Sequence, residues 1–368
     1  MHLPAPGPLF RRVYRKAPSP WTYAIEAIGR KRDRAPAKLD VMTSVGGKDA
    51  DILQVMIRSL SDSHPKDRID FWLFHMHLGP EQLAGLTRFC EGLDNLDLHI
   101  VHVTQHKEFA ELSKLGRKPF GARFLWYLAH EYLPGDLDRV IYLDPLDVIV
   151  MDDLLPFLNQ PLMGRMVAAC RELPFLPPIL ARPATEADLE PRAMARTRRV
   201  MHGVINSGGM VLNLARMRKE DRGLAPYLGM GRLIAEKTEL PFGDQGLFSM
   251  THGSDYVRAH DRYNLRFHMA PQGRIRPAMA HFAGRIAKPF HLRFDPGQED
   301  LILSLLQRTG RQALPLNATQ NIKAQDLPYY RLWWDICART PVHDRIAPLA
   351  DRFAAKVTAE DQPMHSVV

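Results

Sequence analysis

The sequence predicts an α/β fold, and three observations carry that prediction. Between residues 39 and 170, short β-prone apolar runs alternate with stretches of helical periodicity, an order that implies a parallel sheet with right-handed crossovers. Near the middle of the chain the apolar run Val140-Ile141-Tyr142-Leu143 stops at Asp144, and Asp147 follows before a second apolar run from Val148 to Met151. Such a run is what fills a strand buried on both faces. Finally, 368 residues with 45% hydrophobic and 24% charged content suit a soluble chain of one large domain with extensions, or of two domains.

Each element follows in order. Residues 1–37 mix proline with arginine and lysine and show little periodicity, predicting a basic arm with one short helix over 21–28. Residues 39–45 are the first strand, running into Gly46-Gly47-Lys48. Ile52, Val55, Met56 and Leu60 then recur at helical spacing on one face. Residues 70–75 read as a second strand, 80–90 as a helix with proline in its first turn, and 98–103 as a third strand. A long amphipathic helix is expected over 120–132, stopped by Pro134-Gly135. Residues 166–170 form a short strand leading into a proline- and arginine-rich insert, about 174–201, that reads as a loop or lid. In residues 205–214 small and polar side chains run into a buried strand, as expected where backbone approaches a ligand closely. Residues 241–246 open another helix, with the Asp244 carboxylate near its N-terminus where the dipole favours it. A last apolar approach over 278–284 ends in His281 and Gly284, with Lys288 shortly after. From about Pro296 the chain turns to helices and linkers, with an aromatic cluster at 329–334 and an amphipathic segment at 346–357. The expected divisions are an arm at 1–37, a catalytic-sized domain at 38–295 and a helical C-terminal extension at 296–368.

Asp144 and Asp147 admit two readings. Ionised carboxylates between buried hydrophobic runs call for a cation or hydrogen bonds, and two at a strand end could hold a divalent metal above the sheet. Alternatively, Asp and Pro simply make a polar turn between strands. The net charge of +8 is gathered mainly at 11–34 and 192–199, without a zinc-finger, helix-turn-helix or RNA-recognition signature. Anionic lipid headgroups or an acidic glycan would suit that charge as well as nucleic acid, and so would a solvated surface with no partner. The aromatic cluster either packs on the domain or sits at headgroup depth on a membrane. Three widely spaced cysteines, Cys90, Cys170 and Cys337, point to a reducing compartment and no zinc cluster. No run approaches the roughly 18 apolar residues that span a bilayer, and no secretory signal is expected. The cytoplasm is the default expectation.

Four blocks then stand in a telling order. They are Tyr142-Leu143-Asp144 with Asp147-Val148-Ile149-Val150, Asn206-Ser207-Gly208 with Leu212-Asn213-Leu214, the pair Asp244-Gln245, and His281-Phe282-Ala283-Gly284 with Lys288-Pro289-Phe290. Over residues 39–290 this order resembles the family 8 glycosyltransferases, retaining enzymes of the GT-A fold that use nucleotide sugars. The resemblance implies a GT-A-like nucleotide-sugar-binding α/β fold with a mixed central sheet, followed by the helical C-terminal extension. It implies that Asp144, Asp147 and His281 hold a metal. An imidazole beside carboxylates shifts preference from Mg²⁺ towards Mn²⁺, and the cation would neutralise the departing diphosphate. By the same resemblance, Lys288 faces that diphosphate as a point charge and Gly284 brings backbone close to it. Asn206, Ser207, Asp244 and Gln245 face the sugar, the last two as binding and stabilising groups at its reacting face. Thr43, Ser44 and Arg123 are the remaining donor-binding candidates.

The chain departs from the family at three places. Two residues, Pro145 and Leu146, separate aspartates that the family places one residue apart. In a strict strand they would point to opposite faces, so the chain must turn or bulge at Pro145. The acid that reads a uracil base after the first strand is missing from Thr43-Ser44-Val45-Gly46-Gly47, the nearest being Asp49. The family's arginine before the metal strand aligns with Tyr127, and Arg123 lies four residues earlier, on the same face if that segment is a helix. The expected activity is metal-dependent retaining transfer of a hexose from a UDP-hexose, UDP-glucose or UDP-galactose, to a cell-surface glycan or glycolipid of the lipopolysaccharide kind. Peripheral contact with the inner membrane face would go with it, and nucleic acid is not expected as a partner. The rival readings are a catalytically silent sugar-nucleotide or glycan-binding relative and a basic nucleic-acid-binding protein.

Overall fold

The computed structural model describes residues 34–104, 106–116, 121–172, 204–220, 223–237, 242–253, 255–267, 276–284, 286–316 and 320–350. The basic arm up to residue 33, the insert at 174–201 and the end of the 346–357 segment lie outside them. The strands that matter for the site are β1 (Lys38–Ser44), β2 (Arg68–His75), β3 (Leu96–His102), β4 (Arg139–Leu143), β5 (Val148–Val150), β6 (Val167–Arg171), β7 (Ile205–Asn213), β8 (Tyr256–Arg258), β9 (Leu265–Arg266) and β10 (Met279–His281). Within the described residues the chain divides into two compact units, one over residues 103–142 and 154–263, the other over residues 36–102, 143–153 and 264–350.

In the second unit β1, β2 and β3 are parallel neighbours, with Ser44 opposite Phe74 and His75 opposite His102. Strand β1 is buried on both faces after Lys38, so Leu39, Val41 and Met42 enter the core and the polar residues among them, Asp40, Thr43 and Ser44, are enclosed as well. The helix Leu53–Ser63 buries Leu53, Val55, Met56, Ile57 and Leu60. Its polar face also contributes to the fold: Ser59 Oγ accepts from the Val150 amide at 3.0 Å, and Ser63 Oγ donates to the Val150 carbonyl at 3.1 Å. Those bonds satisfy one edge of β5, while its other edge pairs antiparallel with β10, setting His281 opposite Val148. Beyond β10 the C-terminal residues complete the same core. The helix Pro296–Thr309 opens on a capping box between Asp295 and Gln298 and closes at Gly310, φ +63°; the helix Leu327–Cys337 buries Tyr330, Trp333 and Trp334. These pack with Ile149, Phe267, Phe282 and Leu292. The aromatic cluster is therefore core, and the membrane-depth reading of it fails because these rings are enclosed.

The first unit is mixed: β4, β7, β6 and β8 are neighbours in that order, β6 running antiparallel to β7 and parallel to β8. The long amphipathic helix expected at 120–132 is instead a 3₁₀ segment, Ala122–Leu128, followed by a single α-turn, Ala129–Tyr132. Phe124, Leu125, Trp126, Tyr127 and Leu128 are all buried. A segment enclosed on every side needs no amphipathic period, so its apolar residues gave a false helical stripe. Arg123 is exposed while Tyr127 is buried, so the two do not share a face and the one-turn equivalence between them fails. Among the described residues no helix is long and apolar enough to cross a membrane.

Candidate active site

The chain leaves β4 at Leu143, bends through residues 145–147 and enters β5 at Val148. That bend is what Pro145 permits, since proline has no amide to place in a ladder. It removes the strict alternation that would have sent Asp144 and Asp147 to opposite faces. The Phe282 amide donates to the Asp147 carbonyl at 2.7 Å, extending the β5–β10 pairing by one bond and seating Asp147 beside His281. His281 Nε2 then lies 3.4 Å from Asp144 Oδ2 and 3.5 Å from Asp147 Oδ1.

Two neighbours set the electrostatics of this trio. His281 Nδ1 is 3.0 Å from Asn264 Oδ1; the amide oxygen can only accept, which puts a proton on Nδ1 and turns Nε2 to the carboxylates. Lys288 Nζ donates to the Asp147 carboxylate and, at 2.8 Å, to the Phe282 carbonyl. Burial disfavours the Asp147 charge, yet His281 and Lys288 hold its carboxyl well below the usual carboxylate range. Burial likewise opposes protonation of His281, but Asp147 and Asp144 overcome it and raise the imidazole to about 9. One nitrogen and two carboxylates, with ligand atoms all within 4.8 Å of one another, make a donor set that a divalent ion of the Mn²⁺ class fits, and the Asn264 bond is the orienting contact that metal-binding histidines commonly have.

The other expected donor-binding groups divide. Thr43 is buried and donates its hydroxyl to the Leu143 carbonyl at 2.7 Å, bracing the residue before Asp144. Ser44 is buried. Gly284 has φ +88°, a conformation that side chains with a Cβ rarely adopt. Asp49, the nearest acid after β1, faces Arg345 at 3.2 Å, and Asp51 faces it at 2.6 Å.

In the other unit, Asn206, Ser207 and Gln245 form one network. Gln245 Oε1 accepts from the Ser207 amide at 3.2 Å, Asn206 Oδ1 accepts from the Gly208 amide at 3.0 Å, and Asn206 Nδ2 donates to Glu172. Asp244 opens the helix Asp244–His252; its carboxylate accepts from Trp126 Nε1 at 3.3 Å and its carbonyl from the Tyr127 hydroxyl at 2.6 Å. The Arg123 guanidinium lies against Gly243, where an added Cβ would meet it at 3.8 Å. Sequence reasoning missed Glu172, Asn264 and Trp126. None of the three stands in a local pattern that would have marked it: Asn264 lies in the mixed stretch His260-Asp261-Arg262-Tyr263-Asn264-Leu265-Arg266-Phe267.

A mixed α/β sheet with two carboxylates and an imidazole gathered at a strand end is compatible with a glycosyltransferase of the GT-A type, and it is the comparisons with known proteins that identify the class. The chain is similar to the galactosyltransferase LgtC, solved with donor and acceptor sugar analogues, at 19% identity over 69% of this chain and 90% of that one, with a TM-score of 0.51. It is also similar to the bifunctional glycosyltransferase WbbM, at 14% identity over 88% of this chain and 52% of that one, TM-score 0.53, so it spans about half of WbbM. No curated protein matches the chain significantly. The family described as glycosyl transferase family 8 matches residues 47–292, well over half of the chain. The protein belongs to glycosyl transferase family 8 and is a glycosyltransferase, of the retaining type consistent with that family.

Proposed function

We propose that the protein transfers a hexose from a UDP-hexose, UDP-glucose or UDP-galactose, to a cell-surface glycan or glycolipid acceptor, with retention at the anomeric carbon and dependence on Mn²⁺ or Mg²⁺. The observation that supports this best is the convergence of Asp144, Asp147 and His281 within 4.8 Å, with Lys288 on the same carboxylate. These three would hold the cation, whose chemistry when bound is to neutralise charge on a diphosphate leaving group. Lys288 adds a mobile positive charge for the same group, and Gly284 leaves room for backbone to approach it. Asn206, Ser207, Asp244 and Gln245 are proposed to bind the sugar; Thr43 and Ser44 are proposed donor contacts, and Arg123 is proposed as one from its place against Gly243, next to Asp244, not as a stand-in for the residue at Tyr127. In the reaction the bond from the anomeric carbon to the diphosphate oxygen breaks and one to the acceptor oxygen forms on the same face. Gln245 carries an amide, a poor nucleophile, so front-face exchange within an ion pair suits the site better than a covalent sugar–enzyme intermediate. The acceptor proton then passes to the departing phosphate.

The basic residues of the arm suit a peripheral contact with anionic lipid on the cytoplasmic side. Binding to anionic but not neutral vesicles, lost at high salt, is the expected result. The donor reading is tested by calorimetric titration of UDP with Mn²⁺ and then with chelator. Manganese-dependent binding that disappears in Asp147→Ala supports it, and tight binding indifferent to metal overturns the ligand assignment. Hydrolysis or transfer with a panel of nucleotide sugars then identifies the donor.

A further inference from the structure

The second unit contains another convergence of ligand atoms, built on different segments. His64 ends the helix Leu53–Ser63, Asp67 directly precedes β2, and Asp153 follows β5. Their ligand atoms all lie within 4.8 Å of one another. His64 is 1% exposed and Asp67 3%, so this is no surface patch of acids.

The histidine is oriented as a ligand would be. Its Nδ1 stands 3.0 Å from the Leu60 carbonyl, which can only accept, so Nδ1 carries a proton and Nε2 is the atom turned to the acids. Nε2 lies 3.6 Å from Asp153 Oδ1, longer than an ordinary N–H···O bond. Two ligands of one tetrahedral ion, each bonded at about 2.0 Å, sit about 3.3 Å apart, so a small inward shift would seat an ion between them. Asp67 is anchored by the Ala37 amide, which donates to its Oδ1 at 3.0 Å, and its amide donates to the His64 carbonyl at 3.0 Å. With a neutral imidazole the three side chains offer one nitrogen and two carboxylate oxygens to a divalent cation. Asp67 also lines a cavity of about 690 Å³.

We propose that His64, Asp67 and Asp153 bind a borderline divalent ion such as Zn²⁺. This second, structural site ties the end of one helix to the start of β2 and the exit of β5. A donor set of one imidazole and two carboxylates accepts Zn²⁺ as well as ions of the Mn²⁺ class, and water would complete the coordination.

The test is metal analysis of the full chain after equilibration with Zn²⁺ and removal of excess, for wild type, Asp147→Ala, Asp153→Asn and the double variant. Two equivalents in wild type, one in each single variant and none in the double are expected. One equivalent in wild type, kept by Asp147→Ala and lost by Asp153→Asn, would uphold this site while failing the Asp144–Asp147–His281 site. Thermal melting of Asp147→Ala with and without Zn²⁺ leaves the new site unaltered, and a rise in midpoint is expected. A Zn²⁺ content unchanged in Asp153→Asn, or Asp147→Ala that neither retains Zn²⁺ nor melts higher with it, overturns the proposal; the trio is then an imidazolium held by two carboxylates.

Discussion

A single proton decides what His281 can do. With Nδ1 bonded to Asn264 Oδ1 at 3.0 Å, Nε2 alone faces Asp144 and Asp147, so Asn264 would act as a positioning residue for the proposed metal. Asn264→Ala should weaken Mn²⁺ binding about 10- to 100-fold while leaving the carboxylates in place, measured by calorimetry alongside His281→Ala as the upper limit of the loss. The same imidazole makes binding depend on pH. In the metal-free protein its pKa is raised from 6.5 to about 9, so at neutral pH the ion must displace a proton. Apparent affinity should climb by up to about tenfold per pH unit below 9 and level off above it, and the slope should vanish in His281→Ala. The sign for folding is the reverse. A folded-state pKa above the unfolded one means that the charged ring stabilises the metal-free protein fully below pH 6.5, and that this stabilisation is lost as pH rises through about 9. Metal-free protein that gained stability over that interval would contradict the assignment. Of this site Asp144 and Asp147 were legible in the sequence because they stand at the ends of apolar runs, whereas His281 and Lys288 were assigned through the resemblance of their block to that of the family. Asn264 was not legible, since a buried asparagine orienting a ring 17 residues away leaves no local pattern.

At the scale of elements, the parallel strands could be read because each carries a short cluster of β-prone apolar residues between helical stretches: Val41 and Met42 in β1, Phe71 to Phe74 in β2, Ile100 and Val101 in β3. The segment Ala122–Leu128 could not, because its aromatic residues are buried on all sides and mimic a helical stripe. What the segment does is visible only in three dimensions: Trp126 and Tyr127 fix both the carboxylate and the carbonyl of Asp244. Tyr127→Phe removes a buried hydrogen bond and should cost about 1 to 1.5 kcal/mol, seen as a lower urea midpoint with an unchanged slope. The loop after β10 is the other element with a specific demand. Gly284 at φ +88° sits between His281 and Lys288, so a Cβ there either strains the loop or shifts it. Gly284→Ala should lower stability by about 1 kcal/mol and weaken UDP binding more than it weakens Mn²⁺ binding. Equal loss of both would indicate general unfolding and not a displaced loop.

For the molecule as a whole, the family match ends at residue 292, and the composition suggested a helical extension from 296. The packing argues that this extension is part of the unit that carries the metal trio. Trp334 Nε1 donates to the Leu292 carbonyl at 2.9 Å and the Tyr330 hydroxyl to that of Ala287 at 2.5 Å; Arg345 grips Asp49 and Asp51 in the loop after β1. Tyr330 and Trp333 pack in one core with Ile149, Ala280 and Phe282, residues that alternate with or adjoin Val148 and His281 along β5 and β10. Losing one such ring, as in Trp333→Ala, should cost about 3 to 5 kcal/mol, a large part of the roughly 5 to 15 kcal/mol that holds a domain folded. Removing everything after residue 295 takes away several such rings and leaves the inner faces of β5 and β10 exposed to water. The shortened chain should therefore be insoluble, or lack a cooperative melt and near-ultraviolet dichroism, and should bind no Mn²⁺. Were it instead to melt cooperatively and bind Mn²⁺ as the full chain does, the extension would be an accessory, and the family's own residues would suffice to build the site.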